Sequence, residues 1–173
     1  MDILEFFELS AGKWFSQRTV HNLTSGALEA GKSNLTIALL GPDDSTLAQL
    51  CDRHGVAPAT AGTGWHLTWD GTVDSNTDKQ VGSAVLVPVA DRDRPQEGQM
   101  LQQGGGKNPQ PLAGRYSMGS DDILTVWMES ETFTAEERLW YLMPNLRLRT
   151  SVVKYSDRMT VASFCSEIRM GLK

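Results

Sequence analysis

The chain has 173 residues, of which 40% are hydrophobic, and its formal net charge is −5 at pH 7. This composition is sufficient for a packed core in one domain or two small ones, and it excludes an intrinsically disordered chain. The acidic balance argues against a nucleic-acid-binding protein, because contacts to phosphates need a basic stripe.

The first residues and the two cysteines bear on where the protein works. The start, MDILEFFEL, lacks the basic region and apolar run of a secretory signal peptide, and no stretch has the length of a transmembrane helix. Cys51 and Cys165 lie far apart and lack the spacing of a metal site. We therefore expect a cytoplasmic protein with free thiols and no bound metal.

The first third of the chain is predicted to contain a short helix followed by two strands. Asp2 and Glu5 have the spacing of a capping box, which predicts a helix over residues 3–9. The aromatic and β-branched segments 13–23 and 33–40 are typical of strands.

A second helix is predicted over residues 45–54. The sequence PDDS supplies its start, and Gly55 supplies a stop. Its apolar stripe needs a sheet surface to lie on. The stripe consists of Leu47, Leu50, Cys51 and His54.

The rest of the chain is predicted to be mainly strands joined by short turns, which is typical of an antiparallel meander. The propensities of residues 135–143 also allow a helix, but the tight spacing to both neighbours favours a strand. The predicted strands cover residues 64–71, 80–90, 114–119, 122–130, 135–143, 145–155 and 158–170.

One polar segment interrupts this pattern. Residues 91–113 are rich in Gly, Pro and Gln and have no periodicity, which predicts a long flexible loop. The strands on either side would each form an open sheet alone, whereas about nine or ten strands together close into a barrel without edges. The predicted fold is therefore mainly β, an antiparallel up-and-down barrel with a short N-terminal helix and one covering helix.

The motif GKW at residues 12–14 resembles the start of the first strand in the lipocalin and fatty-acid-binding superfamily. In that superfamily the tryptophan points inward at the base of the barrel. If Trp14 points inward, alternation also directs Arg18 inward. An internal arginine is costly unless it is paired, so an internal salt bridge or a bulge that turns Arg18 outward is the alternative.

Several predicted strands place large aromatic and polar side chains on the same face. Trp65 and Trp69 share a face, as do Trp127 and Glu129. Such mixed faces suit a pocket for a flat, conjugated and partly charged ligand. Taken singly, each tryptophan is better explained as ordinary core packing.

Two arginines occupy one face of the predicted strand 145–155. Arg147 and Arg149 point to the same side by alternation, and Leu146 and Leu148 point to the other. Because like charges side by side repel, this face is either solvated or built to bind an anion.

The segments GKWFSQRTVH, GWHLTW and ERLWYLMPNLRLRTS together resemble the S-type phycobiliprotein chromophore lyases, the CpcS/CpeS type. The resemblance runs from about residue 3 to residue 168 and omits only 91–113. It implies one calycin-type barrel domain over residues 1–173 that binds a bilin, most plausibly phycocyanobilin, as substrate and needs no permanent cofactor. It also implies transfer of the bilin to a cysteine of an apo-phycobiliprotein, such as phycocyanin β or allophycocyanin.

The resemblance also assigns roles to individual residues. Arg147 and Arg149 suit the two bilin propionates, because guanidinium binds carboxylate bidentately, and Ser151 adds a hydroxyl on the same face. The matching glutamate is Glu137, with Glu136 as the adjacent alternative, and it would keep the bilin protonated during transfer. Further bilin ligands are expected at Arg18 and Trp69, and less firmly at Trp65.

Two other functions fit the same residues. A carrier of a bilin or of another anionic hydrophobic ligand needs the same barrel and the same arginines but no acceptor protein. A purely structural interaction protein would keep both arginines at its surface. No hydrolase or phosphate-binding motif occurs in the sequence, and a homodimer is compatible with a small barrel that has an uncovered side.

Overall fold

The computed structural model describes residues 1–104 and 110–171, apart from the side chain of Thr77. Within these residues it contains three helices and ten strands. The helices are α1 (Ile3–Ser10), α2 (Ser45–Arg53) and α3 (Pro58–Ala61). The strands are β1 (Gly12–Asn22), β2 (Leu28–Leu40), β3 (Gly64–Val73), β4 (Asn76–Ala90), β5 (Glu97–Gly104), β6 (Leu112–Met118), β7 (Leu124–Glu129), β8 (Phe133–Met143), β9 (Leu146–Tyr155) and β10 (Thr160–Arg169).

The strands form a closed antiparallel barrel. Each strand pairs with the next one along the chain, and β1 closes the barrel by pairing with β10 as well as with β2. Closure leaves no unpaired edge, which is how the barrel satisfies its backbone hydrogen bonds. The predicted up-and-down barrel with a short N-terminal helix and a covering helix is thereby confirmed, and residues 135–143 lie in a strand.

Helix α1 closes one end of the barrel, called here the closed end. Its first turn has the predicted capping box, in which Asp2 Oδ1 accepts from the backbone of Glu5 at 2.8 Å. Phe6 and Phe7 are fully buried against the interior side chains. Burying two phenylalanines contributes about 3–6 kcal/mol, so apolar packing is what holds this short helix against the barrel.

The carbonyl groups near the end of α1 accept hydrogen bonds from barrel side chains. Trp14 Nε1 donates to the carbonyl of Ser10 at 2.9 Å, and Trp65 Nε1 donates to the carbonyl of Phe7 at 3.0 Å. Arg169 adds a bond to the carbonyl of Ala11 at 2.7 Å. These donors satisfy carbonyls that the helix itself leaves unpaired.

Helix α2 lies on the outside of the barrel. Its buried residues Leu47, Leu50 and Cys51 form a second apolar cluster with Val87 and Leu101, which point outward from β4 and β5. The predicted stripe is confirmed for these three residues, while His54 follows the helix as its half-buried C-cap. The single-turn helix α3 was not predicted.

The predicted loop over residues 91–113 is wrong for residues 97–104, which form β5, and for residues 112–113, which begin β6. Met100 and Leu101 are both fully buried, one inside the barrel and the other beneath α2. A strand that is buried on both faces does not alternate between apolar and polar residues. The two apolar residues of β5 stand between glutamines, so the sequence shows no pattern typical of a strand. Residues 105–109 of the predicted loop lie outside the described residues.

No described helix combines the length and the apolar composition that crossing a membrane requires.

Candidate functional site

The barrel interior has two halves. The closed half lies against α1 and contains Trp14, Trp65 and Arg147, all buried. The mouth half lies toward the turns that join β1 to β2, β3 to β4, β7 to β8 and β9 to β10, and its side chains are partly exposed. The mouth half is therefore the part of the interior that a ligand can enter.

The arginines of β9 point inward, as alternation predicts. Arg147 pairs in register with Glu167 of β10, and Arg149 pairs with Cys165. Leu146 and the other outward residues of β9 share the opposite face.

Arg147 lies in the closed half and is 1% exposed. Its Nε donates to Glu167 Oε2 at 2.7 Å, and one of its terminal nitrogens also lies 2.7 Å from this oxygen. Its guanidinium carbon lies 5.0 Å from the ring centre of Trp14 and 5.6 Å from that of Trp65. The cation is thus compensated by one carboxylate and enclosed by two indoles.

Arg149 lies one step nearer the mouth, and its side chain is 29% exposed. Its terminal nitrogens lie 3.3 Å from Glu167 Oε1 and 3.6 Å from Glu137 Oε1, and one of them donates to Cys165 Sγ at 3.5 Å. Burial lowers the pKa of Arg149, but Glu167 and Glu137 outweigh it and raise the pKa overall. The guanidinium is therefore cationic at every physiological pH.

Glu167 is a buried charged residue of the interior that the sequence analysis missed. It is 0% exposed, and burial alone would raise its pKa, but Arg147 and Arg149 lower the pKa below its ordinary value. The carboxylate is therefore ionised, although it is fully buried. In the observed pairing of β9 with β10, Glu167 lies directly across from Arg147. The sequence alone does not determine which residues of the two predicted strands pair, so this neighbour could not be predicted.

The structure separates the two candidate glutamates of β8. Glu137 points into the mouth half, and its side chain is 38% exposed. Glu136 lies on the outer face, where its Oε2 accepts from Trp127 Nε1 at 2.8 Å. The alternative that placed Glu136 in the site is wrong, because adjacent residues of a strand face opposite sides.

Ser151 and Ser163 form a hydroxyl pair in the mouth half, with 2.6 Å between their oxygens. Ser151 lies directly across from Glu137 in the register of β8 and β9. The site therefore contains a continuous row of polar groups from Glu137 to Ser163, and Ser163 was not predicted.

The two tryptophans of β3 have different surroundings. Trp65 is buried and stacks on Phe7 with ring centres 4.0 Å apart, so it belongs to the core at the closed end. Trp69 is half-buried, and its indole covers Gly82, where an added Cβ would lie 2.3 Å from a ring carbon. Gly82 thus makes room for the ring of Trp69 on the wall of the mouth half.

Arg18 occupies the same row of the barrel as Arg149. Its register partner on β10 is Cys165, which is also the partner of Arg149. Trp14 and Ser16, four and two residues earlier on the same face, are buried, whereas Arg18, nearer the mouth end of β1, is exposed. Within residues 1–104 and 110–171 it has no ion-pair partner, so the alternative in which Arg18 forms an internal salt bridge is wrong.

The chain matches the family model of CpeS-like proteins over residues 2–170. It is 50% identical to "Chromophore lyase CpcS/CpeS" of Thermosynechococcus vestitus over 172 residues, which cover 99% of this chain and 94% of the relative. It is 36% identical to "Phycocyanobilin lyase subunit CpcS" of Picosynechococcus, with 98% of this chain and 86% of the relative covered.

A solved structure has the same fold. The S-type phycobiliprotein lyase CPES from Guillardia theta superposes with a TM-score of 0.89 at 30% identity, and the match covers 100% of this chain and 95% of that one. The chain therefore belongs to the CpeS-like family, that of the CpcS/CpeS chromophore lyases, and is a lyase.

Proposed function

We propose that the chain acts as one domain that binds a bilin, specifically phycocyanobilin, in the mouth half of the barrel and transfers it to a cysteine of an apo-phycobiliprotein. The acceptors are phycocyanin β, allophycocyanin subunits, or both. The observation that carries the proposal is the joint presence of Arg149 and Glu137 in the accessible half of the interior. No permanent cofactor takes part, since the bilin is the substrate.

The charges of the interior suit the two propionates of a bilin. Arg18, Arg147 and Arg149 provide the positive potential, and Ser151 provides a hydroxyl group. The half-buried indole of Trp69 offers a wall on which a conjugated ring can stack. An aromatic wall with a few placed charges is typical of small-molecule sites.

Glu137 is the residue that we expect to act on the bound tetrapyrrole. Its carboxylate accepts hydrogen bonds from the pyrrole nitrogens and stabilises the protonated bilin, which makes the ethylidene group of ring A more electrophilic. The acceptor's sulfur forms a bond to the ethylidene carbon, and the thiol proton passes to the tetrapyrrole, so nothing is released.

The nucleophile comes from the acceptor protein. Cys51 and Cys165 are both free thiols and both buried. Burial raises the pKa of the Cys51 thiol, which makes the reactive thiolate rarer. Neither cysteine therefore competes with the acceptor for the bilin.

Co-expression tests the function directly. The chain is produced with a bilin-synthesising pathway and apo-phycocyanin β, and covalent chromophore is read as zinc-induced fluorescence on a denaturing gel. We expect a fluorescent acceptor band with the wild type, a much weaker band with Glu137→Gln and an unchanged band with Glu136→Gln. Glu136→Gln is the matched control because it makes the same change on the outer face of β8.

The carrier is an outcome of the same experiment. A wild type that co-purifies with bilin but leaves the acceptor unlabelled is a carrier and not a transferase. Equal labelling by Glu137→Gln and Glu136→Gln would remove Glu137 from the mechanism.

Two further parts of the proposal concern the setting of the reaction. We place the protein in the cytoplasm, where free thiols such as Cys51 and Cys165 persist.

We also propose a homodimer, since Leu142, Met143 and Met170 are exposed near the closed end. Sedimentation velocity of the wild type and of Leu142→Ser tests the dimer.

A further inference from the structure

The hairpin of β1 and β2 exposes two leucines where it turns at the mouth of the barrel. Leu23 is 60% exposed and Leu28 is 64% exposed. Among the described residues of the other turns around the mouth, large apolar side chains are not exposed to this extent. Contact of apolar surface with water is unfavourable, so two leucines at one point of the rim draw attention to the surface beside them.

The exposed apolar surface continues from Leu28 down the outside of the barrel. Val152 of β9 and Phe164 of β10 point outward and are 38% and 44% exposed. We call Leu23, Leu28, Val152 and Phe164 the rim patch. A contiguous apolar patch of this kind is typical of a surface that binds another molecule. The outward side chains between these residues are small or polar and include no acid, lysine or arginine: Thr19, His21, Ala30 and Ala162.

A groove of about 450 Å³ adjoins the rim patch on the outer wall. Phe164, Thr19 and Ala30 form part of its lining, and Lys32 and Asp74 add one positive and one negative charge. An apolar centre with a polar rim is the usual composition of a protein–protein interface. The groove therefore offers a partner's large side chain a place to anchor beside the rim patch.

Hydrogen bonds hold the turn that carries the leucines in one shape. Asn22 Oδ1 accepts from the backbone of Thr24 and of Ser25, both at 3.0 Å. The backbone of Leu23 donates to the carbonyl of Thr160 at 2.8 Å, and the backbone of Thr160 donates to Thr24 Oγ1 at 2.9 Å. The turn is thus pinned to β10, and a partner binds it without a large cost for ordering a loop.

The rim patch lies on the outside of the wall that forms the proposed bilin site. Val152 is three residues from Arg149 along β9, which corresponds to about 10 Å toward the mouth. Helix α1 closes the opposite end with Phe6 and Phe7. A thiol that attacks the bilin must therefore enter at the mouth, and the protein that carries this thiol must rest on the rim.

We propose that the rim patch is the docking surface for the acceptor phycobiliprotein subunit. An exposed apolar segment of the acceptor packs on Leu23, Leu28 and Phe164 and holds its cysteine over the mouth. A second copy of this chain seated here would cover the edge of the opening through which the thiol enters, so the acceptor is the favoured occupant. The inference rests on the proposed function for the identity of the partner, but it requires docking only and not transfer.

Direct binding of the acceptor in the absence of bilin tests the inference. Biolayer interferometry measures the affinity of the chain for purified apo-phycocyanin β and for apo-allophycocyanin subunits. We expect Leu28→Asn and Phe164→Asn each to lower the affinity by about 10-fold. Val81→Asn is the matched control, because Val81 is 71% exposed and points outward from β4, away from the rim patch. It should leave the affinity unchanged.

Transfer kinetics separate docking from a general structural role. We expect Leu28→Asn to raise the KM for the acceptor by about 10-fold and to leave kcat unchanged. Its affinity for phycocyanobilin, measured by absorbance titration, should equal that of the wild type, because Leu28 lies outside the barrel interior. A variant that folds incorrectly would instead lose affinity for the bilin as well, and near-UV circular dichroism verifies the fold of each variant.

Three results would overturn the inference. These are a wild type that binds neither acceptor, equal acceptor affinities for Leu28→Asn and Val81→Asn, and a Leu28→Asn variant that loses self-association in sedimentation velocity but keeps its acceptor affinity. The last result would assign the rim patch to a second copy of the chain. A wild type that binds the acceptor through the rim patch but does not label it refutes the proposed transfer and leaves the docking surface in place.

Discussion

The closed half and the mouth half of the barrel use the same type of residue for different purposes. Arg147 and Arg149 are two residues apart on one face of β9, but their exposed fractions are 1% and 29%. Arg147 has a tight carboxylate partner and two aromatic neighbours, whereas Arg149 has longer ion pairs. The difference teaches that depth in the barrel and a dedicated counter-ion, and not the face of the strand alone, decide whether an internal arginine is sealed in the core or stays accessible from the mouth.

The largest expected effect comes from breaking the ion pair of the closed half. Glu167→Gln leaves the buried guanidinium of Arg147 without a counter-ion, which we expect to lower the free energy of unfolding by about 3–5 kcal/mol. Urea unfolding followed by tryptophan fluorescence measures this change.

The double variant Arg147→Met with Glu167→Met is the control for this loss. Because it removes both charges, it should be closer in stability to the wild type than Glu167→Gln is. A double variant less stable than the single one would mean that the ion pair itself, and not the orphaned charge, provides the stability.

The pH dependence of stability sharpens the same comparison. The folded pKa of Glu167 lies below its ordinary value of 4.5. Its contribution is therefore complete above pH 4.5 and is lost as the pH falls through the folded pKa. We expect the free energy of unfolding of the wild type to fall more steeply below pH 4.5 than that of Glu167→Gln. Acid titration at a fixed urea concentration measures both curves. Parallel curves would contradict the lowered pKa of Glu167.

A smaller effect on stability is expected from removing a hydrogen bond between the barrel and α1. Trp14→Phe keeps an aromatic ring but removes the donor to the carbonyl of Ser10. Leaving a buried carbonyl unpaired costs about 1–3 kcal/mol. Thermal unfolding measures the loss, and an unchanged midpoint would show that water replaces the indole.

The smallest effect on stability is expected in the mouth half. Glu137 is 38% exposed and 3.6 Å from Arg149, so Glu137→Gln should change the free energy of unfolding by less than about 1 kcal/mol. The absorption spectrum of phycocyanobilin bound to the Glu137→Gln variant should nevertheless differ from its spectrum when bound to the wild type or to Glu136→Gln. A spectrum identical to the wild type would exclude Glu137 as the partner of the pyrrole nitrogens.

Much of the fold was predictable from the sequence because alternation and turn residues report local structure. The pattern of β9 correctly directs Arg147 and Arg149 inward and Leu148 outward. The strand β5 was missed because its two apolar residues, Met100 and Leu101, are adjacent and serve opposite faces. A strand of this kind has neither alternation nor an apolar run.

The site was less predictable because its chemistry depends on register and depth. Glu167 lies beside Arg147 because β9 pairs with β10 in this register, and a single sequence does not reveal the register. Alternation places Trp65 and Trp69 on one face, but it cannot tell that Trp65 lies beneath α1 while Trp69 lies nearer the mouth.

The hydrogen bonds of Arg169 to α1 have a consequence for how the chain folds. The guanidinium at the end of β10 donates to the carbonyls of Leu9 and Ala11, which are about 160 residues earlier in the chain. Helix α1 cannot acquire these bonds until β10 has been synthesised and has paired with β1. Completion of the closed end is therefore a late event in folding, and the barrel is expected to fold slowly, as chains with distant contacts do.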